Sequence, residues 1–314
     1  MLSVHFGALE AILFNILKRE VIVMKTKHKY ALVGFLFVLP SFLYYIFIFL
    51  YPLISSFINS FSKVNILLNT RTFVGFKNFK DLFARQVFWD SLVITLKFAI
   101  MSVPMLLIVD LYIANKLSQI KGSWNKILTT LSFLPFIVSM AAAGMVWDWI
   151  LDPNFGIVNT LLGAMHLPQP MWLRSPNTAL YSTLLITLWI RAPFGIMILL
   201  GGIQNVSQSL YEAAEIDGVT PTQKFFKITL PLINPQLVML ITLETIYAFR
   251  AFDQIYTATS GGPAGATRTL MIYLIKDLFN TNYGMASALT VLLLLLLFAL
   301  SFLEQTFLRK KISY

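Results

Sequence analysis

The chain alternates long apolar runs with short polar interludes, and the runs dictate the architecture. A hydrocarbon core takes about 20 apolar residues per helix. Runs of that kind cover residues 30–53, 91–113, 126–150, 178–201, 235–257 and 285–307, which predicts an all-α integral membrane protein with six transmembrane helices. Basic residues flank them: Lys18, Arg19, Lys25, Lys27 and Lys29 before the first run, Lys116 and Lys121 between the second and third, Lys224 and Lys227 between the fourth and fifth, and Arg309, Lys310 and Lys311 at the end. Positive loops stay on the cytoplasmic side, so both termini are expected there. Lys63, Arg71, Lys77, Lys80 and Arg85 would then lie outside, against the rule, and are outweighed by the other loops.

The polar interlude at about 203–234 is dense in helix-start and helix-stop residues. Ser209-x-x-Glu212 has the spacing of a capping box and predicts the start of a short helix. Gly218 suits the left-handed position that ends it, and Thr220-Pro221 supplies a second N-cap and first helical residue. The second helix is expected to run through Lys224, Phe225, Phe226 and Ile228 and to stop near Pro231, at roughly a right angle to the first. Ala213 and Ala214 are small enough for close approach by another surface.

Composition agrees with the runs and narrows the chemistry. Hydrophobic residues make up 57% of the 314 residues and charged ones 12%, with a mean hydropathy of +0.75, too apolar for a soluble chain of this length. The formal charge of +10 sits beside the apolar runs, where topology and anionic lipid account for it, so nucleic acid is not an expected partner. Cysteine is absent, which removes disulfides, thiolate metal sites and thiol nucleophiles. No G-x-x-x-x-G-K-[ST], H-E-x-x-H or G-x-S-x-G occurs, and His5, His28 and His166 are isolated. The chain is therefore expected to have no catalytic residue, metal or cofactor, and to draw its energy from another subunit.

Ionisable residues inside apolar runs cost about 2.5–3.5 kcal/mol each at mid-depth and mark functional candidates. At 100° per residue, Glu244, Tyr247, Ala248 and Ala251 share one face of the fifth run, with Arg250 and Asp253 pointing largely away as an i, i+3 pair of structural or gating character. In the fourth run Thr187, Ile190, Arg191 and Phe194 share a face, and two roles are open to Arg191: pairing with Glu244, or snorkelling and contact with backbone carbonyls at the helix interface. Lys97 and Asp110 lie toward opposite ends of the second run, where snorkelling accounts for them. Trp147 and Trp149 read as interfacial anchors and Trp189 as a core residue. The segment before Met24 is too short and too charged to span, and reads as an amphipathic cytoplasmic extension or a mis-set start.

Glu212-Ala213-Ala214, Gly218 and Ile228-x-Leu230-Pro231 at these spacings resemble the EAA loop of type I ATP-binding-cassette importer permeases. "AFRAFDQIYTATSGGP", residues 248–263, resembles the carbohydrate branch, in the partner that carries T-x-G-G-P. The resemblance implies the six-helix type I permease fold over 30–308, a cytoplasmic extension at 1–29 and a tail at 309–314. It implies ATPase coupling through Glu212, Ala213, Ala214, Gly218, Ile228 and Pro231. It places the faces carrying Thr187, Ile190, Arg191, Glu244, Tyr247, Ala248 and Ala251 at a sugar site near mid-membrane, and the Gly261-Gly262-Pro263 loop where an external binding protein docks. The implied partners are a second homologous permease, two ATPase subunits, an extracytoplasmic solute-binding protein, carbohydrate and lipid, in a bacterial inner membrane. A phosphorylated polyol or acidic oligosaccharide is the alternative cargo, and an ion-coupled secondary transporter using Glu244 or Asp253 the competing class.

Overall fold

The computed structural model describes Tyr30, residues 33–65 and residues 70–308. The expected extension over 1–29, with its basic residues, His5 and His28, and the tail residues Arg309, Lys310 and Lys311 lie outside the described residues. The chain falls into two units, one ending at Ile58 and one beginning at Asn59.

Most of helix α1, Val33–Ser60, belongs to the first unit. It contains a widened π-helical turn at Ile46–Leu50. That turn lies just before Pro52, which has no N–H to donate and whose ring crowds the carbonyl four residues back.

The second unit opens with an antiparallel hairpin, β1 Ser62–Asn65 and β2 Thr70–Phe73, with Ser62 opposite Phe73. Helix α2, Lys77–Phe83, is tied to it by Asn78, whose Nδ2 donates to the carbonyls of Ser60 and Ser62 at 2.8 and 2.9 Å. Then come α3 Gln86–Gln119, α4 Ser123–Phe133, α5 Met140–Ile150, α6 Ile157–Ala164 and α7 Ala179–Gln204. The chain continues through α8 Gln208–Ile216, α9 Pro221–Leu232, α10 Asn234–Phe249 and α11 Asp253–Thr259. It closes with α12 Leu270–Ile272, extended by a π turn at Tyr273–Leu278, and α13 Tyr283–Phe307.

Among the described residues, α1, α3, α7 and α13 are each long and apolar enough to cross a membrane, and two bent helix pairs raise the number to as many as six. The bends divide runs that the sequence alone assigns to single helices. The third run turns by 96° between 137 and 140. There Pro135 sits in the first turn of a 3₁₀ segment, and the Ser139 hydroxyl accepts from the Ala142 N–H to start α5 afresh. The fifth run breaks again after Phe249, where Arg250, Ala251 and Phe252 leave the helix. The Ala251 carbonyl is satisfied by the Thr269 hydroxyl at 3.2 Å, so the break is built by tertiary contact and not by a proline.

Helices in lipid gain little from burying apolar surface against one another, so close approach through small residues carries much of their association. Helices α3 and α7 pack along Leu106, Ala114, Leu117, Ile196 and Leu199, with Leu240 of α10 filling the seam. Gly144 of α5 lies against α11, and a side chain there would overlap the Thr257 hydroxyl and come within 2.6 Å of the Gln254 carbonyl. A further cluster of Leu82, Phe88, Leu270, Leu278, Met285 and Leu289 joins α2, α3, α12 and α13.

Candidate functional site

Two regions carry the expected functional residues. The first is a charge centre between α7 and α10. Arg191 donates from Nε to Glu244 Oε2 at 3.2 Å and from Nη2 to Oε1 at 2.5 Å, a two-pronged pair with Glu244 only 1% exposed. Of the two roles that the sequence leaves open to Arg191, the pairing is the one formed. A buried carboxylate needs such a partner, because the cost of removing it from water is otherwise unmet. The Tyr247 and Phe194 rings lie 4.4 and 4.9 Å from the guanidinium carbon, and Phe136 stacks on Phe194. The Tyr247 hydroxyl reaches Met140 Sδ at 3.3 Å, so the centre touches both the bent third run and α10. Thr187, one turn before Arg191, accepts from Gln254 Nε2 at 3.2 Å and donates to the Thr183 carbonyl.

The structure brings Arg191, Glu244 and Tyr247 together. It places Ile190 in a packed cluster with Leu151, Leu173 and Ile186, and Ala248 and Ala251 in another with Phe98, Leu184 and Ile255. Ala251 lies beyond the end of α10, so the single four-residue face expected from 100° periodicity ends at Ala248. For the same reason Arg250 and Asp253 are not an i, i+3 helical pair: they flank the break, both exposed, with no ion pair between them. Trp189 packs edge-on against Trp147 at 5.9 Å, while Trp149 is exposed. Trp189 is nevertheless 37% exposed and is not the core residue expected, whereas Trp147 is half-buried against the cluster of Ala143, Leu151 and Ile186 and is no free anchor.

Asp110 is the residue that sequence reading misplaced. It does not snorkel: it is fully buried, and neither carboxylate oxygen has a hydrogen-bond partner. Its Oδ2 occupies the space a side chain at Gly195 would need, one turn along α7 from Arg191. The apolar run suggested a helix ending at 113, but α3 continues to Gln119, which sets Asp110 about 13 Å from the helix end. The available signal was an acidic residue inside Leu106–Ile113, set against a glycine in the fourth run. Gly195→Ala is expected to destabilise the protein by about 1–3 kcal/mol through overpacking against Asp110 and Leu240. Thermal unfolding of the purified protein checks this, and an unchanged midpoint would show that the two helices can separate.

The second region is the α8–α9 turn. Helix α8 begins after Ser207, whose hydroxyl contacts Ser209 at 2.8 Å. The expected Ser209–Glu212 capping box is thus not formed, because the helix starts two residues earlier and Ser209 is inside it. Gly218 ends the helix at φ +71°, with Val219 N–H donating to the Ala214 carbonyl at 2.9 Å. Thr220 and Gln223 form a reciprocal capping box that starts α9, with Pro221 in the first turn. This helix then widens into a π turn at Phe225–Thr229, passes through Pro231 and ends at Leu232. Tyr211 and Thr229 hydroxyls at 2.9 Å and Lys224–Glu215 at 2.7 Å clamp the two helices together. Lys224 also holds the exposed Glu215 carboxyl below its usual range by hydrogen bond and charge. Ala214 is buried and Ile228 half-buried, while Glu212, Ala213, Ile216, Gly218 and Pro231 are exposed, Ile216 by 88%. The turn is rigid inside and open outside.

Long apolar helices, a buried ion pair at their centre and a braced turn with a free face define the class: a membrane transport subunit with a surface available to a partner. The chain belongs to the family of binding-protein-dependent transport system inner membrane components, whose model matches residues 30–314. It is 31% identical over 283 residues to the trehalose/maltose transport system permease protein MalF of Thermococcus litoralis, covering 89% of this chain and 95% of the relative. It is 32% identical over 247 residues to the sn-glycerol-3-phosphate transport system permease protein UgpA of Yersinia pestis, covering 77% and 82%. Its fold matches a chain of a bacterial alginate ABC transporter, crystallised in complex with an alginate pentasaccharide-bound periplasmic protein, with a TM-score of 0.77 at 20% identity over 87% of this chain and 93% of that one. The protein is accordingly a transport permease of type I fold and not an enzyme in its own right.

Proposed function

We propose that this chain is one of two homologous permease subunits of an ATP-driven, binding-protein-dependent importer for sugars or oligosaccharides. The permease domain, 30–308, crosses the inner membrane six times with both ends cytoplasmic, flanked by an extension at 1–29 and a tail at 309–314. Two separate ATPase subunits grip the loop at about 203–234 through Glu212, Ala213, Ala214, Gly218, Ile228 and Pro231. Their ATP-driven approach draws the α8–α9 turns together, and α10, which follows α9 after a single residue, carries that motion to the Arg191–Glu244 centre. Transport then needs the cavity to bind cargo more tightly in one state than in the other. Arg191, Glu244 and Tyr247 offer donors, an acceptor and a ring to a hydroxyl-rich cargo, with Thr187, Ile190, Ala248 and Ala251 shaping the surrounding wall.

The observation that carries this reading is the α8–α9 turn, braced internally and presenting Glu212, Ala213 and Ile216 outward. Relatives carry trehalose/maltose or glycerol 3-phosphate by name, which supports a carbohydrate or phosphorylated polyol. The full pairing of Arg191 by Glu244 favours neutral cargo over acidic, since no buried cation is left free at the centre. The orphan Asp110 favours an ion-coupled transporter. Purifying the chain with its co-isolating subunits and assaying ATPase activity in lipid, with binding protein and a panel of neutral and acidic oligosaccharides, separates these readings. Stimulation that requires binding protein plus one neutral sugar is the expected outcome; absence of any co-isolating ATPase would overturn the assignment.

A further inference from the structure

Asp110 of α3 is 0% exposed, and neither oxygen of its carboxyl has a hydrogen-bond partner. Such a group is costly to keep, because no bond offsets its removal from water. Its surroundings show where a partner is within reach. Oδ2 occupies the position that a Gly195 side chain would take, and that position is 3.2 Å from Leu240 Cδ2. Gly195 follows Arg191 by four residues on α7, and Leu240 precedes Glu244 by four on α10. The contacts of 191 with 244 and of 195 with 240 run in antiparallel order, so both offsets point the same way. Residues four apart on a helix have Cβ atoms about 5–6 Å apart, which sets Asp110 one turn from both members of the ion pair.

Arg191 and Glu244 are the sole charged residues of α7 and α10, and they are the charges close enough to act on Asp110. The centre therefore holds one cation and two acids. Glu244 takes Nε and Nη2 of the guanidinium, and Nη1 remains with two further N–H donors. Pro193, between Arg191 and Gly195, removes the N–H that would bond the Trp189 carbonyl. Helix α7 thus lacks a rung at the level where the three groups meet, and a helix bends most easily at such a place.

We propose that Asp110 is a second seat for the Arg191 guanidinium: on cargo entry Arg191 passes from Glu244 to Asp110, and the freed Glu244 carboxylate accepts hydrogen bonds from hydroxyls of the cargo. The inference rests on the importer reading, which puts cargo at this centre. Held at both oxygens by Arg191, Glu244 has little left to offer a sugar; with the guanidinium on Asp110 it is an open acceptor near the Tyr247 ring. The cation stays paired in both positions, so the cargo selected is a neutral polyhydroxy compound and not an acid. Asp110 touches no cargo and is a positioning residue.

The test is a double-mutant cycle on the complete transporter, purified with its co-isolating subunits, read by thermal unfolding and by binding-protein-dependent sugar uptake in proteoliposomes. Asp110→Asn removes a carboxyl that is unpaired in this state, so its unfolding midpoint is expected within about 2 °C of wild type or above it, while uptake falls at least ten-fold. Glu244→Gln is expected to lower the midpoint only slightly, because Arg191 turns to Asp110. With both substitutions Arg191 is left buried without a carboxylate, which is strongly destabilising. The midpoint of the double variant is expected to drop by about 5 °C more than the sum of the single effects, or no folded complex to be recovered. A merely structural Asp110 gives a different pattern, in which Asp110→Asn loses stability and uptake together. That pattern, additive midpoints, or normal uptake by Asp110→Asn would each overturn the exchange, while wild-type uptake that needs ATP and binding protein leaves the importer reading standing. Wild-type uptake driven by a proton or sodium gradient without ATP would overturn both.

Discussion

Replacing Arg191 by alanine is expected to abolish uptake, to below about 1% of the wild-type rate, and to lower the amount of folded protein in the membrane. Glu244 would be left buried at 1% exposure without its two-pronged partner. Removing one member of a buried pair typically costs about 3–5 kcal/mol, because the survivor keeps its desolvation penalty and loses its attraction. Arg191→Lys is expected to be intermediate: an ammonium keeps the charge but not the planar fork that meets both oxygens. The double variant Arg191→Met with Glu244→Gln separates structure from function, since it leaves no uncompensated charge. Insertion and thermal stability should largely return while uptake stays below a tenth of normal. Radiolabelled-sugar uptake beside the quantity of monodisperse purified protein makes the measurement. Normal uptake by the double variant would reduce the pair to a structural element.

Gly218→Val is expected to abolish ATP-coupled uptake while the protein still inserts and remains folded. Gly218 sits at φ +71°, and a side chain there would meet nothing within 4 Å, so the penalty is conformational and not steric. A β-branched residue held in that region costs about 1–3 kcal/mol, most simply relieved by unwinding the end of α8. That would displace the Ala214–Val219 hydrogen bond and disturb the angle at which Glu212 and Ala213 are presented. Gly218→Asn is the control, because asparagine tolerates the left-handed region far better. Asn should keep at least half the uptake that Val loses. Equal loss with both would mean that the open space around Gly218 is filled by a partner and that side-chain volume, not backbone conformation, is what matters there.

These expectations show which parts of the molecule are local in origin and which are not. The apolar runs and the α8–α9 turn were readable because each depends on residues near in sequence: Gly218 demands a left-handed stop, and Thr220, Pro221 and Gln223 make a helix start together. The Arg191–Glu244 contact was readable as one of two roles for Arg191, since buried opposite charges on facing helices attract one another. The breaks were not. The one at residues 250–252 is held by Thr269, eighteen residues on, and nothing within the apolar run announces it. Ser209 carried a correct capping pattern but lost to Ser207, because the helix gains two more residues by starting earlier. Asp110 was misjudged because its depth depends on where α3 ends, and that helix runs past its apolar run by six residues.

The measurement that tests the central claim most directly is uptake into proteoliposomes holding the complete transporter, with binding protein and labelled sugar on one side and ATP supplied or withheld on the other. The account predicts uptake that needs both ATP and binding protein, that persists when an ionophore collapses the proton gradient, and that Gly218→Val eliminates. Uptake driven by an imposed proton or sodium gradient in the absence of ATP, and lost on Asp110→Asn or Glu244→Gln, would contradict it and make the buried carboxylates ion-coupling sites.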